Sequence, residues 1–312
     1  MNEVEEPTAG GSTTSIKKQV VTVKVPASSA NLGPGFDSVG VALSLYLVLQ
    51  AKRSDSWEIT ALSSALKDFP RDEQNYISQI AINTARMYKQ EMPALKVSIK
   101  SDIPLARGLG SSAAAIVAGI ELADVFCGLQ LSRQEKLRIA TKMEGHPDNA
   151  GACLFGGFVV GSDVGEEVNL TRLDCIDFDP VLVVPHQELL TEASRDVLPG
   201  VVDFKRAVQA SAISNQLLAA LMTQQWELAG KMMAADMFHQ PYRKDLIPFY
   251  EEVQEIAVVS GAFGVALSGA GPSLLCLAEP GKGDALAESL QNALSGFEIH
   301  RLKVDKEGCQ IF

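Results

Sequence analysis

The stretch PLARGLGSSAAA, Pro104 to Ala115, constrains this chain more than any other. Gly108 and Gly110 permit close backbone approach, and the helix opening at Ser111 points unpaired amides and its positive dipole end at whatever lies in front. Such an end receives an anion, phosphate above all. Hydroxyls at Ser111 and Ser112 can cap the helix, add hydrogen bonds or reach a magnesium ion, and the alanines behind them keep the helix thin enough to pack closely. A glycine turn with a serine cap, taken alone, is more often only structural, so the context decides.

That context excludes three other phosphate sites. No G-x-x-x-x-G-K-[S/T] occurs, because Gly230-Lys231 precedes Met232 and Gly281-Lys282 precedes Gly283. The H-R-D and D-F-G pair of protein kinases is missing. Gly108, Gly110 and Ala113 do fit G-x-G-x-x-A, but a loop containing Pro104 separates them from the strand, and another helix follows where a dinucleotide fold needs a strand.

Charge and composition narrow the partner. With 27 Lys+Arg against 38 Asp+Glu the net charge is −11, without a basic tract, which excludes nucleic acid and an acidic membrane surface as expected partners. The ligand is therefore expected to be small. Five scattered cysteines (Cys127, Cys153, Cys175, Cys276, Cys309), never spaced C-x-x-C, fit neither a disulfide framework nor a zinc site and read as reduced packing residues of a cytoplasmic protein. Residues 1–18 are polar and read as a disordered tail without a signal peptide's pattern. The uncharged stretch Gly261 to Ala278 carries five Gly or Pro residues and reads as strand, tight turn and strand, not as a membrane span.

A length of 312 residues gives an expectation of two domains. Val21, Val23 and Val25 alternate with polar residues as a half-buried strand that Pro26 ends; a Gly/Pro/Asn loop and the strand VGVALSLYLVLQAKR follow. Helical spacing marks Tyr76 to Lys89, Ser111 to Phe126 and Leu131 to Met143; the loop EGHPDNAG then leads to an apolar strand, Leu154 to Val160. The acid- and turn-rich stretch Val164 to Asp179 is the expected boundary, dividing 19–170 from 171–312. Beyond it come DPVLVVP as a buried strand, helices over Val202 to Leu221, Trp226 to Met237 and Glu251 to Ser260, and a closing strand, helix, strand. Mixed elements in two blocks indicate α+β rather than a doubly wound sheet.

Two more segments accompany the glycine-serine turn. PASSANLGPGFDSVG, Pro26 to Gly40, puts Asn31 and Asp37 on a loop shaped by Gly33, Pro34 and Gly35, and LSGAGPS, Leu267 to Ser273, is a second glycine turn after a strand. In this order and at these separations the three resemble the signatures of the GHMP small-molecule kinases (galactokinase, homoserine kinase, mevalonate kinase, phosphomevalonate kinase), from about Val21 to the end. SSANLGPGFDS, EGHPDN and HQPYRKDLIP resemble the homoserine kinases most.

The resemblance implies a two-domain fold: an N-terminal nucleotide-binding domain like ribosomal protein S5 domain 2 and a ferredoxin-like C-terminal domain, with ATP and substrate between them. It implies transfer of the ATP γ-phosphoryl group to the hydroxyl of L-homoserine, giving O-phospho-L-homoserine for threonine biosynthesis, in the cytoplasm, and a homodimer. ATP would be held by Pro104, Leu105, Ala106, Arg107, Gly108, Leu109, Gly110, Ser111, Ser112, Ala113 and Ala114, with Ser112 (or Ser111) and Glu144 as Mg2+ ligands. Asn31, Asp37, His146, Asp148 and Asn149 match the homoserine-side loops. Asp37 would orient the attacking hydroxyl and Asp148 is the other catalytic candidate, positioning ranking above base catalysis. Arg195 and Arg243 match positions that would grip the α-carboxylate, and Asn75 a position near the nucleotide base. His186 and His300 match nothing, and His239 reads as shaping its loop.

After HPDN the chain has Ala150-Gly151-Ala152 where many homoserine kinases have Val-Ala-Pro, which predicts a looser loop under Asn149. Two other functions compete: a GHMP kinase for a different alcohol, against which the two arginines count, and a non-catalytic sensor, which should have lost Gly108, Gly110, Ser111, Ser112 or Glu144. All five residues are retained.

Overall fold

The computed structural model describes residues 20–165 and 167–312, and the tail reading over 1–18 lies outside the described residues. Strand β1 (Val21–Asn31) buries Val21, Val23 and Val25 and leaves Thr22 and Lys24 half-exposed. Pro26 does not end it. The register against β2 (Gly35–Arg53) slips between Pro26 and Ala27, from Tyr46 to Leu43, and a residue without an N–H is tolerated at such an irregularity. The expected loop shrinks to residues 32–34, and Asn31 and Asp37 flank a tight strand connection.

The first sheet runs β11-β1-β2-β4-β3, with β3 (Glu58–Ala61), β4 (Leu95–Ser101) and β11 (Gln310–Ile311); β5 (Phe158–Val164) pairs with β2 and with β6 (Glu167–Leu173). Helix α1 (Tyr76–Met87) packs on α2 (Ser111–Cys127), whose small residues allow close contact: a Cβ on Gly119 would stand 2.6 Å from the Ile80 side chain. Helix α3 (Arg133–Glu144) starts on a Ser132–Glu135 capping box and stops at Gly145 in the left-handed region. The expected HPDN loop shrinks to residues 145–147, which keep His146 and Pro147 in the turn, whereas Asp148 and Asn149 open helix α4 (Asp148–Phe155), buried from Asp148 to Leu154. Its small residues let it sit tightly, since a Cβ on Gly151 would meet Leu170 at 2.1 Å. The Ala150-Gly151-Ala152 departure therefore anchors Asn149.

The second sheet is antiparallel in the order β10-β7-β9-β8, from β7 (Asp179–Pro185), β8 (Gly264–Leu267), β9 (Leu274–Ala278) and β10 (Phe297–Arg301). Between β7 and β8 lie α5 (Thr191–Asp196), α6 (Phe204–Met222), α7 (Trp226–Ala234), α8 (Gln240–Arg243) and α9 (Tyr250–Val259), and α10 (Gly283–Ala293) precedes β10. Both faces of this sheet are covered. Val181 and Val183 pack with Tyr250, Val253 and Leu286, whereas Leu182 and Val184 join the large core with Leu217 and Met233, which is why DPVLVVP reads as a continuous apolar run. A division at 170 cuts through β6, because that acid-rich stretch pairs with β5 up to Leu173; the chain crosses to the second sheet over 174–178. Gly261 to Ala278 is a strand, turn and strand as read, and among the described residues no helix is long and apolar enough to cross a membrane.

Candidate active site

The glycine-serine turn folds differently in detail from its sequence reading. Gly110, at φ 66°, is the N-cap of α2, and neither serine caps the helix. The first bond of the helical ladder is Ala114 N–H to Gly110 O (2.8 Å), so the amides of Ser111, Ser112 and Ala113 stand ahead of it. Glycine is required here by packing: a Cβ on Gly110 would lie 2.0 Å from Ser28 Oγ, and one on Gly108 2.0 Å from the Ser268 carbonyl oxygen.

Buried hydroxyls knit the three motifs together. Ser268 Oγ is 2.7 Å from the Gly108 carbonyl and 2.8 Å from Ser29 Oγ. Having one hydrogen, it donates to the carbonyl and accepts from Ser29. Asn31 Nδ2 donates to Gly269 O (2.9 Å) while its Oδ1 accepts the Asp37 amide (2.9 Å). Asn31 and Asp37 hold φ of 76° and 54°, a region that Asn and Asp tolerate better than other side chains. Ser28 Oγ donates to Asn149 Oδ1 (2.9 Å).

One cavity of about 230 Å³ is lined by Asn31, Asp37, His146, Asp148, Asn149, Arg195 and Arg243 together with Ala106, Gly108, Leu109, Gly110, Ser111, Ser112 and Glu144. Residues far apart in the chain thus meet at the mouth of α2. Leu105 lines instead an adjoining apolar cavity of about 310 Å³ with Ile59, Phe69, Tyr76 and Ile99, and the two cavities share Ala106, Ser111 and Ser112. Asn75 lines this second cavity too, while its side chain caps α1. Pro104, Arg107, Ala113 and Ala114 line neither; the two alanines are buried, and Arg107 donates to the carbonyls of Pro185 and His186 and pairs with Glu188 at 3.1 Å, tying the turn to the second sheet.

The polar groups are densely paired. Ser112 Oγ donates to Glu144 Oε2 (3.1 Å), and burial pushes the Glu144 carboxyl above its ordinary range despite nearby His146. An oxygen pair of this kind fits a hard divalent cation, which would hold the carboxylate in its charged form. His146 Nδ1 bonds Asp148 Oδ1, which also accepts the Asn149 amide at 2.6 Å. Burial disfavours charge on His146, but the Asp148 bond and the charges of Asp148, Asp37 and Glu144 outweigh it and raise its pKa.

Arg195 grips Asp37 with both terminal nitrogens, at 2.8 and 3.2 Å. Arg243, only 2% exposed, donates from Nε to Ser194 O (3.0 Å) and from Nη1 to Gly269 O and His239 Nδ1 (each 3.2 Å). Burial, then the charge of Arg195, lowers its pKa to about 10, so it stays protonated at neutral pH. His239 does more than shape a loop. Its Nδ1 must be bare to accept from an arginine, its Nε2 donates to Gly33 O (2.9 Å), and burial drives its pKa to about 4. Asp236, which the sequence reading missed, accepts the amides of Phe238, His239 and Gln240 and so caps the turn presenting Arg243; an acid a few residues before HQPYR was the available signal. His186 is exposed and His300 half-buried, both away from the cavity.

Residues 75–157 match the GHMP kinases N terminal domain and residues 217–296 the GHMP kinases C terminal domain. The chain is 50% identical over 294 residues to a homoserine kinase of Bacillus velezensis, covering 94% of this chain and 95% of that protein. It is similar to a solved structure assigned as a homoserine kinase from Listeria monocytogenes (39% identity, TM-score 0.80, 94% and 99% of the two chains). It is also similar to the homoserine kinase from Cytophaga hutchinsonii (25% identity, TM-score 0.80, 99% and 100%).

Proposed function

Since the chain belongs to the GHMP kinase family, among its homoserine kinases, we propose that the polar cavity at the mouth of α2 is where it works. The chain is an ATP-dependent homoserine kinase, passing the γ-phosphoryl group to the side-chain hydroxyl of L-homoserine and yielding O-phospho-L-homoserine for threonine formation. The observation that carries the assignment of the site is the meeting of free helix-start amides, an acid–hydroxyl pair and two arginines around a single cavity.

ATP spans the two adjoining cavities. Its base enters the apolar one, where Phe69 and Tyr76 offer rings, and its triphosphate lies at the shared Ser111–Ser112 edge against the unpaired amides. Ser112 and Glu144 would hold Mg2+, which supplies charge neutralisation on the phosphate oxygens when bound. On the acceptor side, Arg243 and Arg195 take the α-carboxylate. Asp37, although held by Arg195, keeps lone pairs for the substrate and orients it with Asn31. Asp148 spends Oδ1 on His146 and the Asn149 amide, so it organises those side chains, and Asn149, fixed by Ser28, faces the reacting hydroxyl. Positioning, not proton abstraction, is then the chief work of these residues. The five free cysteines support a cytoplasmic location.

The test is ADP release with homoserine, mevalonate and galactose at equal concentrations. Homoserine should dominate; turnover of another alcohol without homoserine would reject the substrate assignment.

A further inference from the structure

Phe36, the aromatic residue of GPGFD at the start of β2, joins none of the apolar clusters that form the core of the described residues. It is half-exposed beside a polar cavity, a costly place for a phenyl ring without a partner. Two of its partners are charged. The Arg243 Cζ lies 5.2 Å and the Arg195 Cζ 5.7 Å from the ring centroid, and the His239 ring stacks on it at 5.2 Å and 20°. Both guanidiniums are within the range in which a ring quadrupole attracts a cation.

We propose that Phe36 is a positioning residue for substrate binding: its ring is the platform on which Arg195 and Arg243 are held side by side to receive a carboxylate, with His239 packed against the ring and bonded to Arg243. Two adjacent cations repel, and each must be kept from swinging toward water. Among the described residues the Arg195 guanidinium is hydrogen-bonded by Asp37 alone, and a bound zwitterion would compete for that partner. The ring is a restraint that such a ligand does not compete for. On the other side, Nη1 and Nε of Arg243 are committed to His239, Gly269 and Ser194, which leaves Nη2 for the ligand. The platform is furnished by residue 36 of the first domain, whereas both arginines come from the second, so it also sets the register of the two halves of the pocket.

This inference rests on the reading that the two arginines grip the substrate carboxylate, and the experiment separates the two. Steady-state kinetics of the full chain are measured for Phe36→Leu, Phe36→Tyr and Arg195→Ala, each varying homoserine and ATP separately, with melting temperatures alongside. Phe36→Leu should raise the KM for homoserine about ten-fold, the loss expected of two partly desolvated cation–π contacts, and leave the KM for ATP within about two-fold. Phe36→Tyr, which keeps the ring face, should restore most of the affinity. An unchanged homoserine KM in Phe36→Leu, equal increases for both substrates, or a tyrosine variant as impaired as the leucine one would each overturn the proposal. Should the leucine variant not fold, Phe36→Met removes the ring with a more adaptable side chain. If Arg195→Ala leaves the homoserine KM unchanged, the clamp reading fails; if it raises that KM and Phe36→Leu does not, only the platform fails.

Discussion

Replacing Gly108 by alanine examines whether the phosphate turn depends on its close approach to the LSGAGPS turn. An added Cβ would lie 2.0 Å from the Ser268 carbonyl oxygen, 2.8 Å from Gly271 O and 3.0 Å from Gly271 N, all rigid backbone. Relief requires the two turns to part by about 1 Å, which also disturbs the 2.7 Å bond from Ser268 Oγ to Gly108 O. The left-handed backbone at φ 72° adds about 1–2 kcal/mol for any L side chain. A displacement of that size at a reacting phosphate lowers the rate by about 10²-fold, or roughly 2.7 kcal/mol of activation free energy. Gly128 supplies the control. It has φ 66° and no atom within 4 Å of where its Cβ would stand, so Gly128→Ala carries the backbone penalty without the collision. Coupled ADP-release kinetics and thermal melts on both variants should show melting temperatures lowered by about 2–4 °C per kcal/mol in each, with kcat/KM for ATP reduced only in Gly108→Ala. If the two variants keep kcat/KM within about three-fold of one another, the close approach does not aim the amides and the reasoning is wrong.

Glu144→Ala should abolish magnesium-dependent turnover with little change in the melting temperature; wild-type activity in that variant removes the proposed metal ligand. Arg243→Ala should raise the KM for homoserine by about ten- to a hundred-fold and leave that for ATP nearly unchanged, as expected for loss of a charge-assisted hydrogen bond. His146 titrates above its ordinary value in the folded chain, so the folded state binds that proton more tightly than the unfolded state. The stability it contributes is complete below pH about 6.5 and is lost as pH rises through the folded value. Calorimetric melts of His146→Gln should therefore decline less than wild type above that pH, and parallel pH profiles would count against the His146–Asp148 ion pair.

Periodicity and turn chemistry were enough to read most elements. The valines of β1 alternate, the alanine-rich α2 follows two glycines, and helical spacing from Leu131 to Met143 marks α3, because these signals act over a few residues. The readings that failed depended on distant partners. Pro26 stays in β1 only because β2 supplies an irregular register, Asp148 is helical because α4 is packed between strands and Leu170, and β6 exists because β5 pairs with it. Ser111 and Ser112 looked like caps, yet Gly110 takes that place and leaves the amides free.

Local pattern thus established which chemical groups this chain possesses: a glycine-hinged helix start, carboxylates, amides and two arginines in a known order. Folding alone determined their company. The contact between Gly108 and Ser268 spans 160 positions and that between Arg195 and Asp37 spans 158, and no regularity of residue type encodes such a meeting. It follows from burying both faces of the second sheet, which brings the far end of the chain against the mouth of α2. The roles of Phe36, His239 and Asp236 came into view only there, since an isolated ring, imidazole or carboxylate has no direction until its neighbours give it one.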